Sequence, residues 1–223
     1  MDPSGKLIYT KNQVVLSGNL ATLADITITE GNRIPVSIKE IGTTEIFATA
    51  LVHSPNGRFV TVVGDGEYII YTALAWRNKA FGSGTGFAWA GDSNTYAVLE
   101  NKVKLRVYRS FKERGGAGMK GAGSWAMDAI YGGPVLGARG KGFVIFWDWE
   151  SGEIVRRIDV DAKNVNLLYM FNVCCADIFI FFIDLLVDNR DARSGCVRRL
   201  FLYPQVRPRC VQCQTRGGCG DYG

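Results

Sequence analysis

Between Ile46 and Trp149 the chain repeats one layout of short strands three times, and this repeat restricts the fold more than any other feature. The first copy reads IFATALV, a HSPNG turn, RFVTVV, a GDG turn and EYIIYTAL, from Ile46 to Leu74. Its apolar stretches are short, β-branched and aromatic, which favours strand over helix. Asn56-Gly57 and Asp65-Gly66 tolerate positive φ, so they are expected to close two-residue hairpins. The second copy follows roughly 37 residues later with GFAWA, GDSN, TYAVL, an EN turn and KVKLRVY. Phe59 aligns with Tyr96 and Tyr71 with Tyr108 in this reading.

A third, looser copy runs from AIYGG through PVLGAR and GKG to FVIFWDW. It continues into FWDWESGEIVRRIDV, Phe146 to Val160, where an aromatic-Asp strand end, a Glu-Ser-Gly turn and another strand follow in order. This is the corner between the third and fourth strands of a WD-like blade, and Trp147 and Trp149 are expected to pack between blades. A period near forty with several strands per period is the signature of β-propeller blades. Leu7 to Ile41 supplies one further irregular blade. The fold class is therefore all-β, a partial WD-type propeller of about three to four antiparallel blades, since a closed ring needs about four to eight.

Near Asn164 the vocabulary changes. All six cysteines, Cys174, Cys175, Cys196, Cys210, Cys213 and Cys219, lie beyond it, whereas the last lysine is Lys163 and the last glutamate Glu153. We divide the chain at this seam, into residues 1–164 as the partial propeller and 165–223 as an atypical apolar tail with cysteine and arginine. The net charge of +5 is shared between the two sides, with no basic run or basic-aromatic interleaving in the body. Nucleic acid is not an expected partner. The start, Met1 to Lys6, lacks the basic end and apolar core of a secretory signal, and a cysteine-free body suits the cytosol.

The chain offers little chemistry. It has no GxxxxGK loop and no HExxH. Gly82, Gly84 and Gly86 fall between predicted strands, without the helix that a phosphate cradle requires. Asp65 and Glu67 resemble a carboxylate pair but sit on a predicted hairpin, where solvated turn charges are expected. His53, the one histidine, falls in a predicted turn, and the CxxC of Cys210 and Cys213, followed by Cys219, has no second pair to complete a zinc site. No catalytic, cofactor-binding or metal-ligating residue is assigned, and no small-molecule substrate is expected.

The stretch SPNGRFVTVVGDGEYIIYTALAWRNKAFGSGTGFAWAGDSNTYAV, Ser54 to Val98, resembles the coatomer beta-prime subunits. DPSGKLIYTKNQVVLSGNL, GNRIPVSIKEIGTTEIFATALVHSPNGRF, IYGGPVLGARG and FWDWESGEIVRRIDV fall in the order of that family, so the resemblance covers residues 2 to 164. It implies a piece of the second propeller, the coatomer WD-associated region, beginning after the first propeller and ending before an α-solenoid. It also implies a structural, non-enzymatic subunit of the coat protein complex I, partnered by other coatomer subunits and above all the alpha subunit. Such a protein is cytoplasmic and peripheral on Golgi membranes and coated vesicles, reaching the membrane through the coat. It serves Golgi-to-ER, intra-Golgi and ER-Golgi transport. Dilysine-signal binding in the family belongs chiefly to the first propeller, so no residue carries it here.

Three readings of the tail compete. The run VNLLYMFNVCCADIFIFFIDLLV, Val165 to Val187, approaches the length of a membrane-spanning helix, yet Asp177 and Asp184 interrupt it. A cysteine metal or disulfide site is the second. The third, which we adopt, is translation of a retained intron followed by an out-of-frame exon. Val165-Asn166 is compatible with a splice donor, and the codons of Phe201 to Gly223, read one nucleotide later, permit a family-like continuation. Besides the coat component, the functions in competition are a tail-anchored membrane protein with a β-rich head, a non-functional truncated fragment, and a propeller-type enzyme, which would need convergent polar residues in a central channel.

Overall fold

Short strands punctuated by turn residues become five antiparallel sheets in the computed structural model, which describes residues 4–23, 31, 34–114, 118–172, 178–187 and 195–204. The first sheet holds β1 (Lys6–Lys11), β2 (Val14–Asn19) and β3 (Ile38–Thr43). Three four-stranded blades follow. The first is β4 (Ala50–His53), β5 (Phe59–Gly64), β6 (Glu67–Thr72) and β7 (Asn78–Ser83). The second is β8 (Gly86–Trp89), β9 (Thr95–Glu100), β10 (Lys104–Arg109) and the two-residue β11 (Lys112–Glu113). The third is β12 (Met127–Tyr131), β13 (Leu136–Gly140), β14 (Phe143–Trp147) and β15 (Ile154–Ile158). Each sheet pairs its strands in chain order, and the first strands β4, β8 and β12 lie side by side. That is the plan of a partial β-propeller.

The registers correct the repeat read from sequence at one point. Val60 pairs with Tyr71 and Tyr96 with Tyr108, so Tyr96 is the counterpart of Val60 rather than of Phe59, while the match of Tyr71 to Tyr108 stands. A slip of one residue exchanges the two faces of a strand. The turns differ too. Asp65 and Gly66 both take positive φ, 55° and 76°, and close a two-residue hairpin. At Asn56-Gly57 only the glycine does, at 70°, because the loop is wider: the Gly57 N–H donates to the Ser54 carbonyl at 2.9 Å and the Ser54 N–H to the Phe59 carbonyl at 2.9 Å. Both ends of the first copy also shorten. Ile46 to Thr49 is a crossing segment before β4, and Ala73 and Leu74 leave β6 as a turn.

The core lies in the seams between sheets. Ile8, Val15, Val60 and Ala73 close one cluster, joining the first sheet to the β4–β7 blade, and Ile46, Val62, Ile69 and Tyr71 form a second beside it. Trp76 completes that seam, stacked on Tyr71 at 4.5 Å and donating its indole N–H to the Thr43 carbonyl at 2.9 Å. Val63, Tyr68, Ile70, Phe87, Trp89, Tyr96 and Val98 fill the next seam. In the third, Leu99, Leu105 and Val107 meet Met127, Ile145, Trp147 and Trp149. Trp147 and Trp149 thus pack between blades, as expected from the sequence, and their indole N–H groups reach the Lys120 and Gly133 carbonyls at 3.0 and 2.9 Å.

After the third blade the backbone forms a further sheet, β16 (Ala162–Asn172), β17 (Ile178–Val187) and β18 (Gly195–Pro204). The described part of the run considered above as a membrane-spanning helix, residues 165–172 and 178–187, therefore falls in two extended strands. Its β-branched and aromatic residues suit strands, and β17 finds ladders on both sides, with β16 and with β18. No helix among the described residues is long and apolar enough to cross a membrane. Cys196 lies in β18, opposite Leu186. Cys174, Cys175, Cys210, Cys213 and Cys219 lie outside the described residues, and with them the CxxC.

The passage from one blade to the next is tight. At Gly84, between β7 and β8, an added Cβ would stand 2.4 Å from Cγ1 of the fully buried Val98. We expect Gly84→Ala to lower unfolding free energy by about 1–3 kcal/mol through overpacking of this crossover, read as a lower urea midpoint with unchanged slope.

Candidate functional site

The residues marked out by sequence do not converge. Asp65 is no free turn charge: it accepts a hydrogen bond from the Phe47 N–H at 2.8 Å, which ties the crossing segment down on the β5–β6 hairpin. Glu67 is exposed on the edge of that hairpin. Gly82 and Gly86 lie within β7 and β8, not between strands, and Gly84 alone occupies the link. All three glycines serve packing, since a Cβ at Gly82 would meet the Tyr68 ring at 3.0 Å and one at Gly86 would touch Ile130 and Leu99 at 3.4 Å. His53 closes β4 instead of sitting in a turn. Among the described residues no three of His, Cys, Asp and Glu are grouped to hold a metal.

Two rigid places stand out instead. One is a cleft of about 430 Å³ at the ends of β4, β8 and β12, lined by Val52, His53, Phe87, Trp89, Ile130 and Tyr131 with Pro55, Ala88, Gly132 and Gly133. Its walls are largely apolar, and burial raises the Tyr131 phenol above its usual range despite the nearby Arg139 cation. Glycine is required on its floor. A Cβ at Gly132 would lie 2.0 Å from the Trp89 carbonyl oxygen, and this close approach lets Gly133 N–H bond to that carbonyl at 3.0 Å. The cleft offers shape and aromatic surface, with His53 and Tyr131 as its titratable groups.

The other place is the WD-like corner between β14 and β15. Asp148 Oδ1 accepts from the N–H groups of Glu150 and Ser151, both at 2.9 Å, and Gly152 turns the chain with φ 70°. The neighbouring blade grips this corner. Arg114 donates Nη1 to the Trp149 carbonyl at 2.6 Å and Nη2 to the Glu150 carbonyl, Arg109 pairs with Glu150 at 3.2 Å, and Lys120 pairs with Glu153. Exposed ion pairs contribute little singly, but bonds from a guanidinium to two backbone acceptors are fixed in geometry. Sequence reading missed Arg109 and Arg114, because their acceptors are 35 to 41 residues away. It also passed over Asp92, which caps the β8–β9 turn by accepting from Asn94 N–H, Thr95 N–H and the Thr95 hydroxyl at 2.8–2.9 Å. A sequence signal for Asp92 existed: an Asp followed by Ser-Asn-Thr is an Asx-turn pattern.

The family comparison agrees with this geometry. The family described as COPA/B second beta-propeller matches residues 12–175 and so runs past the seam near Asn164. Coatomer subunit beta' of Rattus norvegicus is 43% identical over 165 residues, which is 74% of this chain and 18% of the relative. The Drosophila melanogaster relative of the same name is 47% identical over 167 residues, with the same two shares. The chain thus spans about a fifth of the length of the curated relatives it matches. A solved Kluyveromyces lactis Hsv2 chain overlays 85% of this chain and 60% of its own, at 10% identity and a TM-score of 0.49.

Asp92 generates a prediction. Burial opposes its ionisation, but the Thr95 and Asn94 donors and the Arg109 cation outweigh that and hold its carboxyl below the usual value. A folded-state pKa below the unfolded one adds stability above the unfolded value, near 4, and that stability is lost as pH falls through the folded value. The unfolding midpoint of Asp92→Asn should therefore lie below that of the parent at pH 7, and the gap should close on acidification below about pH 4. Thermal melts of both proteins across pH 2–7 check this; a gap that persists in acid would contradict it.

Proposed function

The chain belongs to the COPA/B second beta-propeller family, and from that membership we propose that it is a structural component of the coat protein complex I. It acts by presenting rigid blade faces and loops to other coat subunits, with no reaction of its own. The observation that carries this reading is the continuity of the family match across residues 12–175. The latched corners support it as well, since blades fixed by guanidinium-to-backbone bonds keep their outer loops in constant relation. The partners proposed are the coatomer subunits, the alpha subunit foremost. The setting is the cytoplasmic face of Golgi membranes and coated vesicles, in traffic between Golgi and endoplasmic reticulum and within the Golgi.

We further propose that the chain divides in origin near residue 164, with 165–223 translated from a retained intron and an out-of-frame exon, the family match reaching eleven residues past that seam. The abrupt change in cysteine, lysine and glutamate usage supports this. Sequencing of the message across the codons of Asp161 to Arg199 is expected to find a spliced form lacking the intervening segment; a message that always retains it would refute the proposal.

Immunoprecipitation of the tagged chain tests the coat reading. Coatomer alpha subunit should co-precipitate, and alkaline carbonate should release the protein from membranes. Failure to recover any coat subunit, or retention in the carbonate pellet, would favour the tail-anchored reading.

A further inference from the structure

Several large apolar side chains are exposed among the described residues, Phe81 at 76% included, and one stands out furthest. Leu74 is 97% exposed, on the loop between β6 and β7. The loop is rigidly held. Trp76 N–H donates to the Thr72 carbonyl, Thr72 N–H to the Arg77 carbonyl and Ala73 N–H to the Arg58 carbonyl, each at 2.9 Å. Trp76 adopts a left-handed φ of 51° to reach its stack on Tyr71, and the Lys6 ammonium bonds to the Ala73 carbonyl at 3.0 Å. A loop tied at so many points cannot fold Leu74 back onto the protein.

The ground around this tip is cationic. Arg58 lies over the Phe59 ring at 5.9 Å, Phe59 meets Phe111 at 5.2 Å, and Lys79 lies over Phe111 at 5.3 Å, so the chain of contacts brings both cations to one surface. Arg77 is exposed beside Lys79, and Lys112 adjoins Phe111. Among the described residues no carboxylate is ion-paired with Arg58, Arg77, Lys79 or Lys112. Of the acids nearest in sequence, Glu113 pairs with Arg106, Asp65 accepts from the Phe47 N–H, and Glu67 lies at the opposite end of β6 from this loop.

We propose that this tip is a membrane-contact site, with Leu74 entering the interface of an anionic phospholipid surface while Arg58, Arg77, Lys79 and Lys112 engage its headgroups. A convex point made by one fully exposed leucine has no groove for a helix or strand, and a protein partner would have to supply a pocket. A bilayer supplies apolar interior at any point beneath a negative surface, and long basic side chains reach headgroups while the tip goes deeper. The inference does not rest on the coat reading.

Co-sedimentation of the full chain with phosphatidylcholine vesicles, with and without phosphatidylserine, tests it. Binding should require phosphatidylserine and fall with salt. Leu74→Ser should weaken partitioning about tenfold, and Arg77→Gln and Lys79→Gln about fivefold each. All three sites are exposed, so the urea midpoints of the variants should match the parent. Equal binding to neutral vesicles, binding unchanged by these substitutions, or no binding to phosphatidylserine vesicles would overturn the proposal. Retention on polyglutamate beads, lost on the same substitutions while vesicles leave the protein in the supernatant, would overturn it in favour of an acidic protein partner.

Discussion

No blade of this protein can bury both of its faces alone, and the whole structure answers to that constraint. A four-stranded sheet is half a core. Each one meets the next along a seam, and the seam between the β4–β7 and β8–β11 blades shows how closely the two are bound. Across it Tyr68 meets Phe87 at 5.5 Å and Tyr96 at 6.4 Å, while Phe59 stacks on Trp89 at 6.0 Å and meets Phe111 edge-on at 5.2 Å. Aromatic pairs at these separations contribute about 0.5–1.5 kcal/mol each beyond their buried area. Burial first of all, with Tyr108 close by, pushes the Tyr96 phenol up to about 12 even though Tyr68 hydrogen-bonds to it, and Tyr68 is raised further. The seam therefore stays uncharged across the working pH range.

Much of this was legible in the chain itself. Local chemistry announces itself locally: Asp65-Gly66 closes its hairpin by the positive φ that the pair permits, and the aromatic-Asp corner with its Glu-Ser-Gly turn marks β14 and β15. The placement of Trp147 and Trp149 between blades followed from the repeat. The misreadings share a cause. Asn56-Gly57 looks like a two-residue turn, yet Ser54 and Phe59 bond across a wider loop, with the Ser54 hydroxyl accepting the Phe59 N–H at 2.9 Å. The Phe59 to Tyr96 alignment failed by one residue because the β9–β10 loop, between Glu100 and Lys104, holds three residues where the β5–β6 loop, between Gly64 and Glu67, holds two. Residues whose partners lie a blade away, such as Arg114, leave no local trace. The same holds for His53, which reads as a turn residue until β5 is seen pairing with it.

The links between blades are as constrained as the blades. Gly84, on the link from β7 to β8, passes Val98 where no side chain fits, and Gly132, in the β12–β13 turn, meets the Trp89 backbone of the neighbouring blade at a distance only hydrogen allows. These close approaches fix the distance between neighbouring sheets, and the aromatic seams then fill what that distance leaves. The cleft beside Trp89 and Tyr131 is one product of this spacing, the close-packed seam around Tyr96 the other. Its apolar and aromatic walls fit a surface that recognises shape.

The grip of Arg114 on the WD-like corner has a consequence for how such a chain can change. Its two acceptors are the main-chain oxygens of Trp149 and Glu150, so the guanidinium recognises the path of the turn and not the identity of the residues on it. Side chains at the corner can be exchanged with the joint intact, provided that the bend held by Asp148 and Gly152 survives. The outer rim is thereby released to diversify its chemistry, one blade at a time, on a frame whose angles stay fixed.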